Sequence, residues 1–118
     1  HVLIAEDNKT NQMLLQMLLD DFGISCDVAN DGLEATEIFN PKKHQLILMD
    51  ENMPNMHGTE AMHLIKEKYP EEKIVVIALT ANAMQEDREK FLKAGMDDYI
   101  PKPIDEEQLY DMLEEYLT

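Results

Sequence analysis

The sequence predicts an α/β fold of the doubly wound kind, a parallel sheet covered by helices on both faces, formed by one domain over residues 1–118. Three observations predict it. Short apolar runs alternate with helical segments along the whole chain. The boundaries carry glycine, proline, asparagine and aspartate, the residues that stop helices and strands and cap helix starts. Several apolar runs end abruptly on polar groups, most visibly in Gln45-Leu46-Ile47-Leu48-Met49-Asp50-Glu51-Asn52-Met53-Pro54, where a buried-strand pattern stops on a carboxylate and a proline soon after forbids its continuation.

Val2-Leu3-Ile4-Ala5 reads as the first strand, ending on Glu6-Asp7. Asp7 or Asn8 can cap the helix that follows over residues 10–22, where Leu15, Leu18, Leu19 and Phe22 form a stripe and Gly23 provides a left-handed stop. Residues 24–29 read as a second strand, and Asn30-Asp31-Gly32 opens a shorter helix to about Phe39, closed by Asn40-Pro41. After the strand ending on Asp50, residues 58–69 carry Ala61, Met62, Leu64, Ile65 and Tyr69 at helical spacing up to Pro70. Ile74-Val75-Val76-Ile77-Ala78-Leu79 is continuous and rich in β-branched residues, as in a strand buried on both faces, and it ends on Thr80.

Asn82 is a candidate cap for a helix over residues 83–94, with Gly95 after it. Met84, Phe91 and Leu92 are that segment's only large apolar contacts, which predicts a weakly anchored element. Residues 97–100 form a brief fifth strand, broken by Pro101-Lys102-Pro103. Asp105 and Gln108 make a capping pair for a last helix with Leu109, Met112, Leu113, Tyr116 and Leu117 on one stripe. Five strands alternating with five helices through right-handed crossovers give a three-layer (βα)5 sandwich, and the flavodoxin-like strand order 2-1-3-4-5 is the expected one.

Composition narrows the function. A formal net charge of −15 over 118 residues, shared by both halves and without a basic patch, argues against nucleic-acid binding. One cysteine, Cys26, allows no internal disulfide and reads as a small strand residue in a reducing, intracellular setting; no metal-binding Cys/His pattern is present. No apolar run approaches the ~20 residues of a membrane span and no signal peptide is legible, so a soluble, cytoplasmic domain without membrane contact is expected. The nine methionines are read as core filling.

In a parallel sheet the carboxyl ends of the strands share one edge, so Glu6, Asp7, Asp50, Thr80 and Lys102 are expected to converge. Crowded carboxylates repel one another and call for a proton or a cation. Hard oxygen donors favour Mg²⁺, or Mn²⁺ in its place. A hydroxyl and an ammonium at the same spot suit a phosphoryl group, with Asp50 as the nucleophile that becomes an acyl phosphate, and Ala81 leaves room for the donor. Taken singly, each residue also has a structural use: Glu6 and Asp7 at a helix N-terminus, Thr80 as a strand end, Lys102 in a solvated loop, Asp50 in a turn.

Together these residues resemble the receiver domain of two-component response regulators: Glu6-Asp7 after the first strand, Met49-Asp50 with Met53-Pro54 and Gly58, Thr80-Ala81 after the fourth and Lys102-Pro103 after the fifth. The resemblance covers essentially the whole chain. It implies that Asp50 accepts a phosphoryl group from a phosphohistidine, and that Glu6, Asp7, Asp50 and the backbone carbonyl of Asn52 hold the metal. It implies further that Thr80 and Lys102 engage the phosphoryl group, that the Lys102–Pro103 bond is cis, and that Thr80 and Tyr99 form a switch remodelling a protein-binding surface. Such a domain is not an enzyme acting on a separate substrate; it promotes its own phosphorylation and dephosphorylation.

Asp7-Asn8 with Asn11-Gln12, the run Ala78-Leu79-Thr80-Ala81-Asn82-Ala83-Met84, and Ala94-Gly95-Met96-Asp97-Asp98-Tyr99 look most like receivers of hybrid sensor histidine kinases. Such receivers exchange phosphoryl groups with a histidine kinase or a histidine phosphotransfer domain, within a longer chain that is cytoplasmic or tethered to a membrane-bound sensor. The alternatives are a stand-alone receiver, one linked to a DNA-binding domain, an interaction module that is never phosphorylated, and a Mg²⁺-dependent aspartyl-phosphate phosphatase. The last needs an acid two residues after Asp50, where this chain has Asn52. Glu51 and His57 depart from the family pattern, and Glu51 is expected to bring further negative charge near the site.

Overall fold

A computed structural model describes residues 1–51, 53, 56–80, 85–101 and 104–117, with the backbone alone for residues 85–88 and 91. Strands β1 (Val2–Ala5), β2 (Cys26–Ala29), β3 (Leu46–Asp50), β4 (Val75–Thr80) and β5 (Asp98–Pro101) alternate with helices α1 (Lys9–Asp21), α2 (Gly32–Ile38), α3 (Gly58–Lys68), α4 (Gln85–Ala94) and α5 (Glu106–Leu117). All strand pairs are parallel and their order is β2-β1-β3-β4-β5, as the alternation predicts.

The sheet divides the core in two. On one face Leu3, Ala5, Ile47, Met49, Val76 and Ala78 pack with Ala61, Met62 and Ile65 of α3. On the other, Val2, Ile4, Leu48, Ile77 and Leu79 meet Leu15, Leu18 and Leu19 of α1 and Leu109 and Leu113 of α5. The alternation of inward side chains along each strand assigns successive residues to opposite layers, which is why the central strands read as unbroken apolar runs.

Helix starts and stops follow local chemistry. Of the two cap candidates for α1 it is Asn8 that serves, its side chain accepting the Asn11 N–H at 3.0 Å. Asp31 caps α2 through the Glu34 N–H, and Asp105 accepts from the Gln108 N–H at the head of α5. Gly23 takes φ +76° and closes α1, with the Gly23 and Ile24 N–H groups returning to the Asp20 and Leu19 carbonyls. The Asn82 cap and Met84 lie outside the described residues.

Several expectations are corrected. Strand β2 begins at Cys26 rather than residue 24, and β5 runs one residue later than expected, with Pro101 inside it as its last residue. Met13 and Met17 are not core residues: they are 63% and 64% exposed on the outer side of α1, beside Leu14. Leu64 and Leu92, both read as apolar contacts, are also exposed. In each case the helical period was legible, but the width of the buried stripe depends on how closely a neighbouring element approaches.

Candidate functional site

The sheet register brings the acids together. Ala5 pairs with Met49, so Glu6, one residue on, stands beside Asp50 at the ends of adjacent strands. Asp50 pairs with Leu79, which sets Thr80 one residue beyond it on β4. Glu6, Asp7 and Asp50 each bring a carboxylate oxygen within 4.8 Å of the others'. Glu6 is fully buried, Asp50 is 3% exposed and Thr80 3%, while Asp7 faces solvent. Buried anions at this spacing are stable together only when a cation or proton offsets them, and an all-oxygen donor set open to water on one side fits Mg²⁺.

The end of β3 is held in place by α3. A Cβ at residue 58 would run into the backbone carbonyl oxygen of Asp50, so glycine lets the helix start press against the strand that carries the acid. Glu51 answers a question the sequence left open. Its carboxylate is not one of the three that gather within 4.8 Å, and it accepts from the Thr59 N–H at 3.0 Å and the Thr59 hydroxyl at 2.7 Å. His57, at the N-cap position, makes no side-chain cap bond, so Glu51 supplies the cap from outside the helix. The added charge is spent on α3.

Glu6 has a framework of its own. The Asn11 side-chain amide donates to Glu6 Oε1 at 3.0 Å, and the Asn8 N–H approaches the same oxygen at 3.4 Å. Buried Gln12 donates through Nε2 to the Glu6 backbone carbonyl and to Asn30 Oδ1, tying the ends of β1 and β2. Asn30 in turn receives Lys9 and donates to Glu34. Residue types at the head of α1 were legible in sequence; which atoms they hold was not.

Tyr99 pairs with Ala78 on β4, two residues before Thr80, so Tyr99 and Thr80 lie on the same face of the sheet. Tyr99 is half-buried against the α3-side core. Lys102, the Lys102–Pro103 bond, Asn52 and Ala81 lie outside the described residues.

A second titratable cluster lies at the opposite edge of the sheet, where His1, Asp27 and His44 gather around one Asp27 oxygen, with Lys43 at 3.0 Å from the same atom. The hydrogen bonds argue against a metal. His44 Nδ1 accepts the Asn40 N–H at 3.0 Å, so the neutral ring carries its proton on Nε2 and donates it to Asp27 at 2.9 Å, leaving no lone pair for a cation. His44 and Lys43 hold the Asp27 carboxyl below the usual carboxylate range. Cys26 beside it is a half-buried thiol that burial, together with Asp27 and Asp20, pushes up, in keeping with an unreactive strand residue.

Comparison with known proteins places the geometry in context. The family model for the response regulator receiver domain matches residues 2–114. Over 119 aligned residues the chain is 42% identical to a hybrid signal transduction histidine kinase of Dictyostelium discoideum, covering 95% of this chain and 7% of that protein. Among solved structures, the receiver domain of the sensor histidine kinase PA1611 from Pseudomonas aeruginosa, with a magnesium ion coordinated in its active-site cleft, superposes with a TM-score of 0.84 at 34% identity, covering 98% of this chain and 95% of that one. The Saccharomyces cerevisiae receiver domain of Ssk1, solved with the histidine phosphotransfer protein Ypd1, gives 0.88 at 32%, covering 98% and 86%. The chain spans about a tenth of the length of the curated relatives it matches. No helix among the described residues is long and apolar enough to cross a membrane.

Proposed function

The chain belongs to the response regulator receiver domain family, and from that premise we propose that it is the phosphoacceptor of a phosphorelay, with Asp50 as the residue phosphorylated. The observation that carries this reading is the meeting of Glu6, Asp7 and Asp50 within 4.8 Å at the strand ends, with buried Thr80 on the next strand.

The chemistry follows from that arrangement. An Asp50 carboxylate oxygen attacks phosphorus as the P–N bond of a donor phosphohistidine breaks, the imidazole nitrogen leaving with the bonding pair. Glu6 and Asp7, with the Asn52 backbone carbonyl, are the remaining groups assigned to the divalent cation. Mg²⁺, or Mn²⁺ in its place, would neutralise the acids and the incoming phosphoryl oxygens. The Thr80 hydroxyl donates to a phosphoryl oxygen and Lys102 offsets its charge. Because Thr80 and Tyr99 share a sheet face, movement of the hydroxyl toward the phosphoryl group frees space into which the ring turns, altering the α4–β5–α5 surface. The domain processes its own acyl phosphate and has no separate substrate to turn over.

The partner is a histidine kinase or a histidine phosphotransfer domain. Exposed Met13, Leu14 and Met17 form an apolar patch on α1, the helix that starts two residues after Asp7, and a phosphohistidine-bearing protein docked there would bring its ring to the strand ends. The acidic surface disfavours nucleic acid. Identity to hybrid kinases supports a parent chain with a kinase core, cytoplasmic or tethered to a membrane-bound sensor.

Incubation with Mg²⁺ and acetyl phosphate or phosphoramidate, followed by intact-mass measurement, tests the reading. One transient phosphoryl adduct is expected, absent without Mg²⁺ and absent in Asp50→Asn; an unmodified mass in the native protein would overturn it.

A further inference from the structure

We propose that Asn11 is a positioning residue for the acidic cluster: its side-chain amide fixes the Glu6 carboxylate in the orientation from which Glu6, Asp7 and Asp50 together accept a divalent cation. The inference rests on the reading that these three acids form the cation site.

Glu6 is fully buried next to Asp50, and the two carboxylates repel each other before any cation arrives. A glutamate side chain has three rotatable bonds with which to escape that repulsion. Fixing them in advance removes an ordering cost that metal binding would otherwise carry. The Asn11 amide, 3.0 Å from Glu6 Oε1, is placed to do this from the first turns of α1.

The Glu6 backbone is fixed separately, and the Asn8 N–H reaches the same Oε1 at 3.4 Å, longer than the 3.0 Å bond from Asn11. Gln12 holds the Glu6 backbone carbonyl, and the Asn8 cap bonds the Asn11 backbone N–H rather than its side chain. Changing the Asn11 side chain therefore leaves the β1 end and the helix cap with their bonds. A donor hydrogen-bonded to a metal-ligating carboxylate is the kind of outer group whose loss costs about 10- to 100-fold in metal affinity.

Charge alone predicts the opposite sign for one substitution, and that makes the proposal testable. Asn11→Asp adds an anion beside the site and, by Coulomb attraction, would tighten Mg²⁺. If Asn11 acts by donating, Asn11→Asp loosens it, because a carboxylate cannot donate and pushes Glu6 away.

The experiment is a Mg²⁺ titration of the native chain, Asn11→Ala and Asn11→Asp, followed by amide NMR shifts at Asp7 and Glu51, with amide exchange of α1 recorded without metal. Expected are about tenfold weaker binding in Asn11→Ala, at least as large a loss in Asn11→Asp, and native protection of the Asn11 and Gln12 amides in both. Unchanged affinity in Asn11→Ala, or tighter binding in Asn11→Asp, would overturn the role of Asn11 while leaving the cation site standing. Loss of protection at the head of α1 in step with affinity would reassign the effect to fraying and equally overturn it. No response of the native chain to Mg²⁺ would remove the cation site itself, and this role with it.

Discussion

Glu51 illustrates how a residue next to the reactive one can serve structure. It follows Asp50 directly, yet its carboxylate accepts both the N–H and the hydroxyl of Thr59. Thr59 is the second residue of α3, and its amide is one of those a helix start leaves without an intrahelical acceptor. Loss of such a cap costs about 1 kcal/mol, so Glu51→Ala is expected to be destabilised by roughly that amount in urea unfolding. Glu51→Gln keeps an acceptor oxygen and should retain most of the stability. If Glu51 acted through charge near the cation instead, Glu51→Gln and Glu51→Ala would weaken Mg²⁺ binding equally and stability would move little. Sequence could name Glu51 as unusual, but the partner lies eight positions on in another element, a distance no local pattern encodes. The same holds for the Asn11–Glu6 bond, which joins a helix to the strand before it.

At the scale of elements, α4 is where sequence and structure differ most usefully. Its few large apolar residues predict weak anchoring, and Leu92 is 42% exposed. Part of the anchoring comes from α3 instead: His63 Nε2 donates to the Ala94 carbonyl and Lys66 Nζ to the Gly95 carbonyl, each at 2.7 Å. These are the carbonyls a helix end leaves without intrahelical donors, and a cation there also opposes the negative end of the helix dipole. Gly95, at φ +113°, turns the chain and lies against Met62 of α3, where an added Cβ would come within 3.4 Å of the methionine methyl. The carboxyl end of α4 is thus tied to α3 by polar bonds that hydrophobic periodicity does not register. Replacing both His63 and Lys66 by alanine is expected to cost about 1 kcal/mol locally, read as a roughly fivefold loss of amide protection in the last turn of α4. Unchanged protection would mean that packing against β5 alone holds that end. If the domain is phosphorylated as proposed, any remodelling of α4 has to work against these two bonds at its carboxyl end.

At the scale of the whole molecule, the alternation of strands and helices, the sheet order and the convergence of the acids were legible because a parallel sheet leaves few ways to bury such runs. Gly58 was legible as part of a motif but not as the contact that lets α3 reach Asp50, and the exposure of Met13 and Met17 on α1 was not legible, because apolar residues need not be buried. The site's chemistry makes one prediction for the stability of the entire fold. With a net charge of −15, any salt relieves self-repulsion, so NaCl and MgCl₂ at equal ionic strength should raise the melting temperature alike unless Mg²⁺ binds specifically. A cation held only by the folded state adds RT ln(1 + [L]/Kd), about 2.7 kcal/mol at a hundredfold excess over Kd, because the acids meet only when the sheet forms. The native chain is therefore expected to melt higher in MgCl₂ than in matched NaCl. Asp50→Asn removes one of three acids lying within 4.8 Å, which relieves repulsion and weakens cation binding together. Its melting temperature should equal or exceed the native value without divalent cation and fall below it at saturating Mg²⁺. Calorimetry across the two salts would detect this crossing, and parallel curves for the two proteins would mean that Asp50 does not contribute to a cation site.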